Sequence, residues 1–371
     1  MDFTNSFEKL DSLFNGFFEW LAGQYDPITG GFYYANSSVS DSSFTPDIES
    51  TAQAINILSR NELLTKMPVE LRAKFISFFQ RKQDPETGFF LDENPHMKDD
   101  EVMVSRAFNY SFNSLSRLGG SPLYQSPVEL HQAPHFVNSE EEYVEKWKSI
   151  SLVNSWRGCD LLASSCMYIG QMNQEKQEKM VKRAVEYLEG IQDPQTGLWG
   201  EGSMYVRISG TFKLHTFYHK FGEPMPRVDK MYQSILHCLR TETAKDMCYI
   251  RNPIDLLSYI NLKIPNHELE EIIQITVDNI EKLKRTDGGF SREIKNSPTA
   301  PNVAQVKSDE FYPNMPVAVP LGKGLYEGDM NAGTQATLIR LQLHKLAGKT
   351  AIPIKGSENF YELVESKLQE K

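Results

Sequence analysis

The sequence predicts an all-α protein in which six helical hairpins close into a double ring, an (α/α)6 toroid. Three observations predict it. A short loop recurs as Asp26-Pro27-Ile28-Thr29-Gly30-Gly31-Phe32, Asp84-Pro85-Glu86-Thr87-Gly88-Phe89-Phe90 and Asp193-Pro194-Gln195-Thr196-Gly197-Leu198-Trp199, with a trimmed copy at Asp287-Gly288-Gly289-Phe290. Between the copies apolar residues recur at helical spacing, and alternating strand patterns are almost absent. The spacing of the copies implies a unit of about 50 residues with two degenerate copies, as a repeat architecture gives.

Each loop combines the same physics. Asp caps backbone N–H groups, Pro cannot extend the preceding helix, Gly takes the positive φ that reverses the chain, and the closing aromatic anchors the turn in the core. Such a loop ends one helix and aims the next.

Taken in order, Phe7, Leu10, Leu13, Phe14, Phe17, Phe18 and Leu21 predict one amphipathic helix over Ser6 to Leu21. Thr45-Pro46-Asp47 opens a second, lean helix whose Thr51, Ala52 and Ala54 allow tight packing. Pro68 to Gln80 and Asp100 to Leu118 form the next pair, and Gly119 to Asn138, with Pro122, Pro127 and Pro134, reads as a surface linker. Further pairs follow: Ser139 to Trp147 with Ser151 to Ile169, Glu175 to Gly190 with Ile208 to Phe221, Arg227 to Leu239 with Met247 to Ile260, and Pro265 to Leu283 with Asp329 to Leu346. The Pro-rich insertion 291–326, with Pro298, Pro301, Pro313, Pro316 and Pro320, has no periodicity and reads as a lid or a disordered segment. Within 356–371, Phe360 to Leu368 reads as a closing helix. One domain over 1–371 is therefore expected.

Composition narrows the function. The chain has 40% apolar residues, enough for a continuous core, and a net charge of −10. With no Lys/Arg cluster, a nucleic-acid partner is excluded. Cys159, Cys166, Cys238 and Cys248 form no C-x-x-C and read as reduced thiols of a cytoplasmic protein. Met1 to Trp20 does not read as a basic, apolar leader, and no run of about 18 apolar residues occurs. Composition leaves the oligomeric state open.

Because each loop leads from an outer to an inner helix, the inner N-termini open on one mouth, where their dipoles favour an anion. The first turns of the inner helices then supply a polar pocket. Glu49, Asp160, His215 and Tyr218 are the candidate proton carriers. Arg106, Asn154, Trp156, Arg157, Arg207, Lys213, Arg251, Asn252, Asp255, Asp329 and Asn331 are the candidate substrate ligands. His215 and His219 have the i,i+4 spacing of a metal pair but lack the Glu of H-E-x-x-H, so no metal is expected there. Asp99-Asp100-Glu101 reads as a helix first turn complementing its dipole.

The loop ending in G-G-F or G-L-W, followed by Asp47-Ile48-Glu49-Ser50-Thr51-Ala52-Gln53-Ala54, resembles the repeat of the terpenoid cyclase and protein prenyltransferase superfamily. The resemblance implies the toroid. In the D-x-D-D-T-A motif of class II cyclases Glu49 stands in the place of the acid, and Ser50 replaces the last Asp. Asp246-Met247-Cys248-Tyr249 resembles the zinc-binding D-x-C-Y of prenyltransferases, but Asn331 occupies the place expected for the His ligand, so neither zinc nor another cofactor is expected. The toroid is also similar to the barrels of polysaccharide lyases and of hydrolases acting on unsaturated uronyl oligosaccharides. A mouth this polar favours that second likeness: an enzyme on an acidic, uronate-containing oligosaccharide, lyase or hydrolase. An isoprenoid cyclase using Glu49, and a binding toroid without chemistry, are the alternatives.

Overall fold

The computed structural model describes residues 3–260, 262–300, 307 and 310–369. Its helices are α1 (Thr4–Ser12), α2 (Phe17–Gly23), α3 (Asn36–Val39), α4 (Ile48–Arg60), α5 (Val69–Arg81), α6 (Glu101–Leu118), α7 (Glu140–Ser149), α8 (Ser155–Ser164), α9 (Cys166–Ile169), α10 (Gln174–Ile191), α11 (Met204–Phe221), α12 (Val228–Thr241), α13 (Met247–Tyr259), α14 (Asn266–Glu281), α15 (Met330–Leu346) and α16 (Phe360–Gln369). Among the described residues only isolated β-bridges occur. The fold is an α/α toroid. The lean helices close an inner ring in the order α4, α6, α8, α11, α13, α15 and back to α4, while α1, α5, α7, α10, α12 and α14 lie outside it.

The recurring loops work as their residues dictate. In each of the three full copies the Asp N–H and its carbonyl bracket the turn: Asp26 with Gly31 and Gly30, Asp84 with Phe89 and Gly88, Asp193 with Leu198 and Gly197. Gly30, Gly88 and Gly197 have φ of 76°, 73° and 69°. The closing aromatics Phe32, Phe90, Trp199 and Phe290 are fully buried between the rings. Phe32 meets Phe75, Phe90 meets Phe108, Trp199 meets Tyr218 and Phe290 meets Phe14.

All six inner helices start on a side-chain cap. Asp47, Asp100, Asn154, Ser203, Asp246 and Asp329 accept from Ser50, Val102, Arg157, Val206, Cys248 and Ala332 N–H groups. Each cap contributes about 1 kcal/mol and fixes where the helix begins.

Three elements differ from the sequence expectation. The helix expected over Ser151 to Ile169 starts only at Ser155, after the Asn154 cap, and is divided into α8 and α9. The helix expected over Ser6 to Leu21 is two, α1 and α2, because Gly16 adopts φ 76° and lies against Gly288 of the fourth loop. The helix expected from Ile208 begins at Met204, where Ser203 caps it and Glu242 accepts from the next N–H groups.

The insertion crosses the N-terminal ends of the inner helices. Ser38 donates to the Leu321 carbonyl, Asn154 and Tyr249 both donate to Glu310, and Tyr312 donates to the Ser151 carbonyl. Val319 and Leu321 sit over Ile48, Met97, Met103 and Ala107, leaving a gap of about 20 Å³. Pro301 lies outside the described residues.

Candidate active site

Inside the ring, charges pair across neighbouring helices. Arg106 Nη2 of α6 meets Glu49 Oε1 of α4 at 2.5 Å, and Gln53 and Asn331 donate to the same oxygen. Burial works against the Arg106 charge, but Glu49, with Tyr110 and Asp160, outweighs it and holds the guanidinium above its ordinary value. Lys213 lies 3.0 Å from Asp160 Oδ2, in an ion pair without hydrogen-bond alignment. Burial lowers the Lys213 pKa, with Arg106 and Arg251 adding to it against Asp160. Asp255 receives Arg251 at 3.5 Å and Gln342 at 2.9 Å, and burial raises its carboxyl nonetheless.

The candidate residues therefore divide. Glu49, Arg106, Asp160, Lys213, Arg251, Asp255 and Asn331 converge on the lumen. His215 is buried there beside Tyr259, ring centroids 3.9 Å apart, with neither ring nitrogen hydrogen-bonded. Tyr218 faces the outer layer, packed on Trp199. Arg207 turns to the third loop, donating to Asp193 and Thr196. Asp329 caps α15 and accepts from Arg292 N–H and the Ser297 hydroxyl, while burial raises it to about 6. Asn252 is fully buried with its amide unpartnered, and Trp156 is buried beside Tyr249. The expected single mouth is thus divided and roofed by the insertion.

Openings lie to the side, one of about 590 Å³ lined by Tyr205, Tyr249, Glu242, Glu293 and Glu310, and a larger one. The larger, a cleft of about 760 Å³, runs between the starts of α6 and α8, with the second loop, the 119–138 linker and the insertion as its other walls. Asp84, Asp99, Asp100 and Glu101 bring carboxylates to it, and Lys98, Lys146 and Arg157 bring cations; Phe89, Tyr168 and Tyr312 add aromatic surface. Asp100 is buried, capping Val102 and receiving Arg157 at 3.1 Å. Asp99 is 61% exposed beside His96, and Glu101 is 38% exposed with Lys146 at 3.3 Å.

The motifs that carried the superfamily resemblance are taken up structurally. Glu49 is held in an ion pair with Arg106. Asp246 caps α13 and is paired with Arg292 at 3.0 Å and with Lys307. Those cations outweigh burial and hold its carboxyl well below the usual range, whereas burial and Asp246 push the Cys248 thiol up. No group of three His, Cys, Asp or Glu that could hold a metal occurs among the described residues.

No protein-family model matches the chain, and no curated protein matches it. A solved structure similar to it is the GH76A alpha-1,6-mannanase from Salegentibacter sp. HEL1_6, at 12% identity and a TM-score of 0.46, covering 91% of this chain and 99% of that one. The terpenoid cyclase and prenyltransferase resemblance is thereby corrected: the similar solved structure is that of an alpha-1,6-mannanase, and in this chain both motif carboxylates are taken up in ion pairs, Glu49 with Arg106 and Asp246 with Arg292 and Lys307. No described helix is long and apolar enough to cross a membrane.

The residues that sequence reasoning passed over are Asp99 and Glu101, read as dipole complements, and Phe89 and Tyr312. Three consecutive carboxylates ten residues beyond a recurring loop were the available signal.

Proposed function

We propose that the protein is a glycoside hydrolase whose active site is the cleft between α6 and α8. The observation that carries this reading is the clustering of two solvent-facing carboxylates, Asp99 and Glu101, in a large cleft with aromatic walls. Glycosidic hydrolysis needs a carboxylic acid to protonate the leaving oxygen and a carboxylate to activate water or attack the anomeric carbon. Asp99 and Glu101 are assigned those two parts. Asp100 is a positioning residue, because its pair with Arg157 fixes the start of α6 between them. Phe89 and Tyr312 offer apolar faces for sugar rings.

An acidic sugar is not required by this cleft. The cations proposed to hold a uronate are committed: Arg106 to Glu49, Arg157 to Asp100, Arg207 to Asp193, Lys213 to Asp160 and Arg251 to Asp255. Lyase chemistry loses its base as well, since His215 lies in the lumen and Tyr218 in the outer layer. The test is release of reducing ends from a panel of neutral and uronate oligosaccharides, α-mannan oligosaccharides included. Asp99→Asn and Glu101→Gln should each lower kcat by about 10² or more, and Glu49→Gln should retain turnover. Turnover kept in both cleft variants, or no turnover of any panel member, would remove the reading.

A further inference from the structure

The barrel axis holds a separate cavity of about 160 Å³, lined by Arg60, Arg106, Arg251, Tyr110, Asn331 and Gln335 among others, with no carboxylate in its wall. It is too small for an oligosaccharide, since pockets for drug-sized ligands start at about 300 Å³. Arg106 and Arg251 each lean on a carboxylate behind the wall, Glu49 and Asp255. Arg60 does not. Among the described residues its hydrogen bonds all use Nη1 and go to neutral oxygens: the Thr334 carbonyl at 2.9 Å, Thr334 Oγ1 at 3.0 Å and Thr337 Oγ1 at 3.1 Å. Among the described residues around the lumen, Arg60, Arg106, Lys213 and Arg251 are set against three carboxylates, Glu49, Asp160 and Asp255, so one positive charge is left over there in a chain of net charge −10.

We propose that this cavity binds a compact oxyanion, phosphate or the phosphoryl group of a small ligand. Guanidinium groups with free edges match oxyanions with paired, charge-assisted hydrogen bonds. The Nε of Arg251 is buried without a partner. Tyr110 already accepts from Arg106 at 3.2 Å, so its own proton is available to a ligand oxygen. The buried Oε1 of Gln335 lacks a donor, and hydrogen phosphate supplies one. Burial, with repulsion from Arg117 and Arg251 and against the attraction of Asp255, pulls Arg60 down to about 10, and a bound anion would relieve that repulsion.

The experiment titrates the full chain with potassium phosphate at constant ionic strength set by KCl, following Tm and heat of binding. A saturable rise in Tm is expected, because a ligand bound to the folded state alone stabilises it by mass action. Arg60→Gln should weaken phosphate binding about tenfold or more. Leu338→Trp fills the same cavity from its apolar side, leaves every charge in place and should abolish binding, so the test survives if Arg60→Gln fails to fold. A parallel arm with glucose 6-phosphate separates the sources: tighter binding than phosphate assigns the cavity to a phosphorylated ligand, equal or weaker binding to the free ion. Phosphate acting no differently from chloride, or both variants keeping the parent response, would overturn the proposal.

Discussion

His215 illustrates how a residue type with catalytic potential can be assigned to the interior. Burial first, then His219 and Arg251, pull its pKa from 6.5 to about 4, so the fold prefers the neutral ring. Above pH 6.5 the ring is neutral in both states. As pH falls, the unfolded chain takes up the proton first, and stability falls until about pH 4, where the folded ring also titrates. The loss across that window is at most about 3 kcal/mol. Urea unfolding at pH 7.0 and 4.5 should therefore show a smaller acid-induced loss in His215→Phe than in the parent; an equal loss would contradict the shift. Glu49 and Arg106 make a second test. Glu49→Ala leaves a buried guanidinium unpaired and should cost about 3–5 kcal/mol, while Glu49→Leu with Arg106→Met should recover most of it. Urea midpoints of the three proteins decide this, and a mild single variant would argue that water already screens the pair.

At the scale of elements, the recurring loop was legible because its physics is local. Gly88 needs φ 73°, and a Cβ there would run into the Gln125 carbonyl and the Ser126 backbone. Gly190, inside α10, has open space around its Cα. Gly88→Ala should destabilise by more than about 1 kcal/mol and Gly190→Ala should stabilise by about 0.5 kcal/mol, read as opposite shifts in thermal midpoint. Helix starts marked by Asp, as at Asp47, Asp100 and Asp329, were legible for the same reason, whereas the helix capped by Asn154 starts four residues after the expected Ser151. The break at Gly16 was not, because its cause is a contact with Gly288 far along the chain. Nor was the fate of the cations. Arg106 and Arg157 each pair with a carboxylate 57 residues away, and nothing in either local stretch marks the partner. The sequence lists charges; only the closed ring tells which of them neutralise one another.

On the scale of the whole molecule, closure joins distant segments. Asp11 of α1 receives Arg340 at 2.6 Å, Lys9 meets Asp278, and Phe360 of α16 packs on Phe18. Ring closure brings the six capped N-termini to one end, as the recurring loops predict. The insertion then roofs the axis with Val319 and Leu321, and the open clefts lie to the side, one between α6 and α8 and a second beside Tyr205 and Tyr249. That arrangement was not readable from periodicity, because the insertion has none. It also separates two chemistries: a carboxylate-bearing cleft at the edge and an arginine-lined chamber on the axis.

The direct test of this division is a crystal structure of Glu101→Gln with an oligosaccharide bound. Sugar rings against Phe89 and Tyr312, with the glycosidic oxygen within hydrogen-bond reach of Asp99 or Gln at position 101, are the predicted result. Sugar seated in the axial chamber, or in the second opening beside Tyr205 and Tyr249, would contradict it.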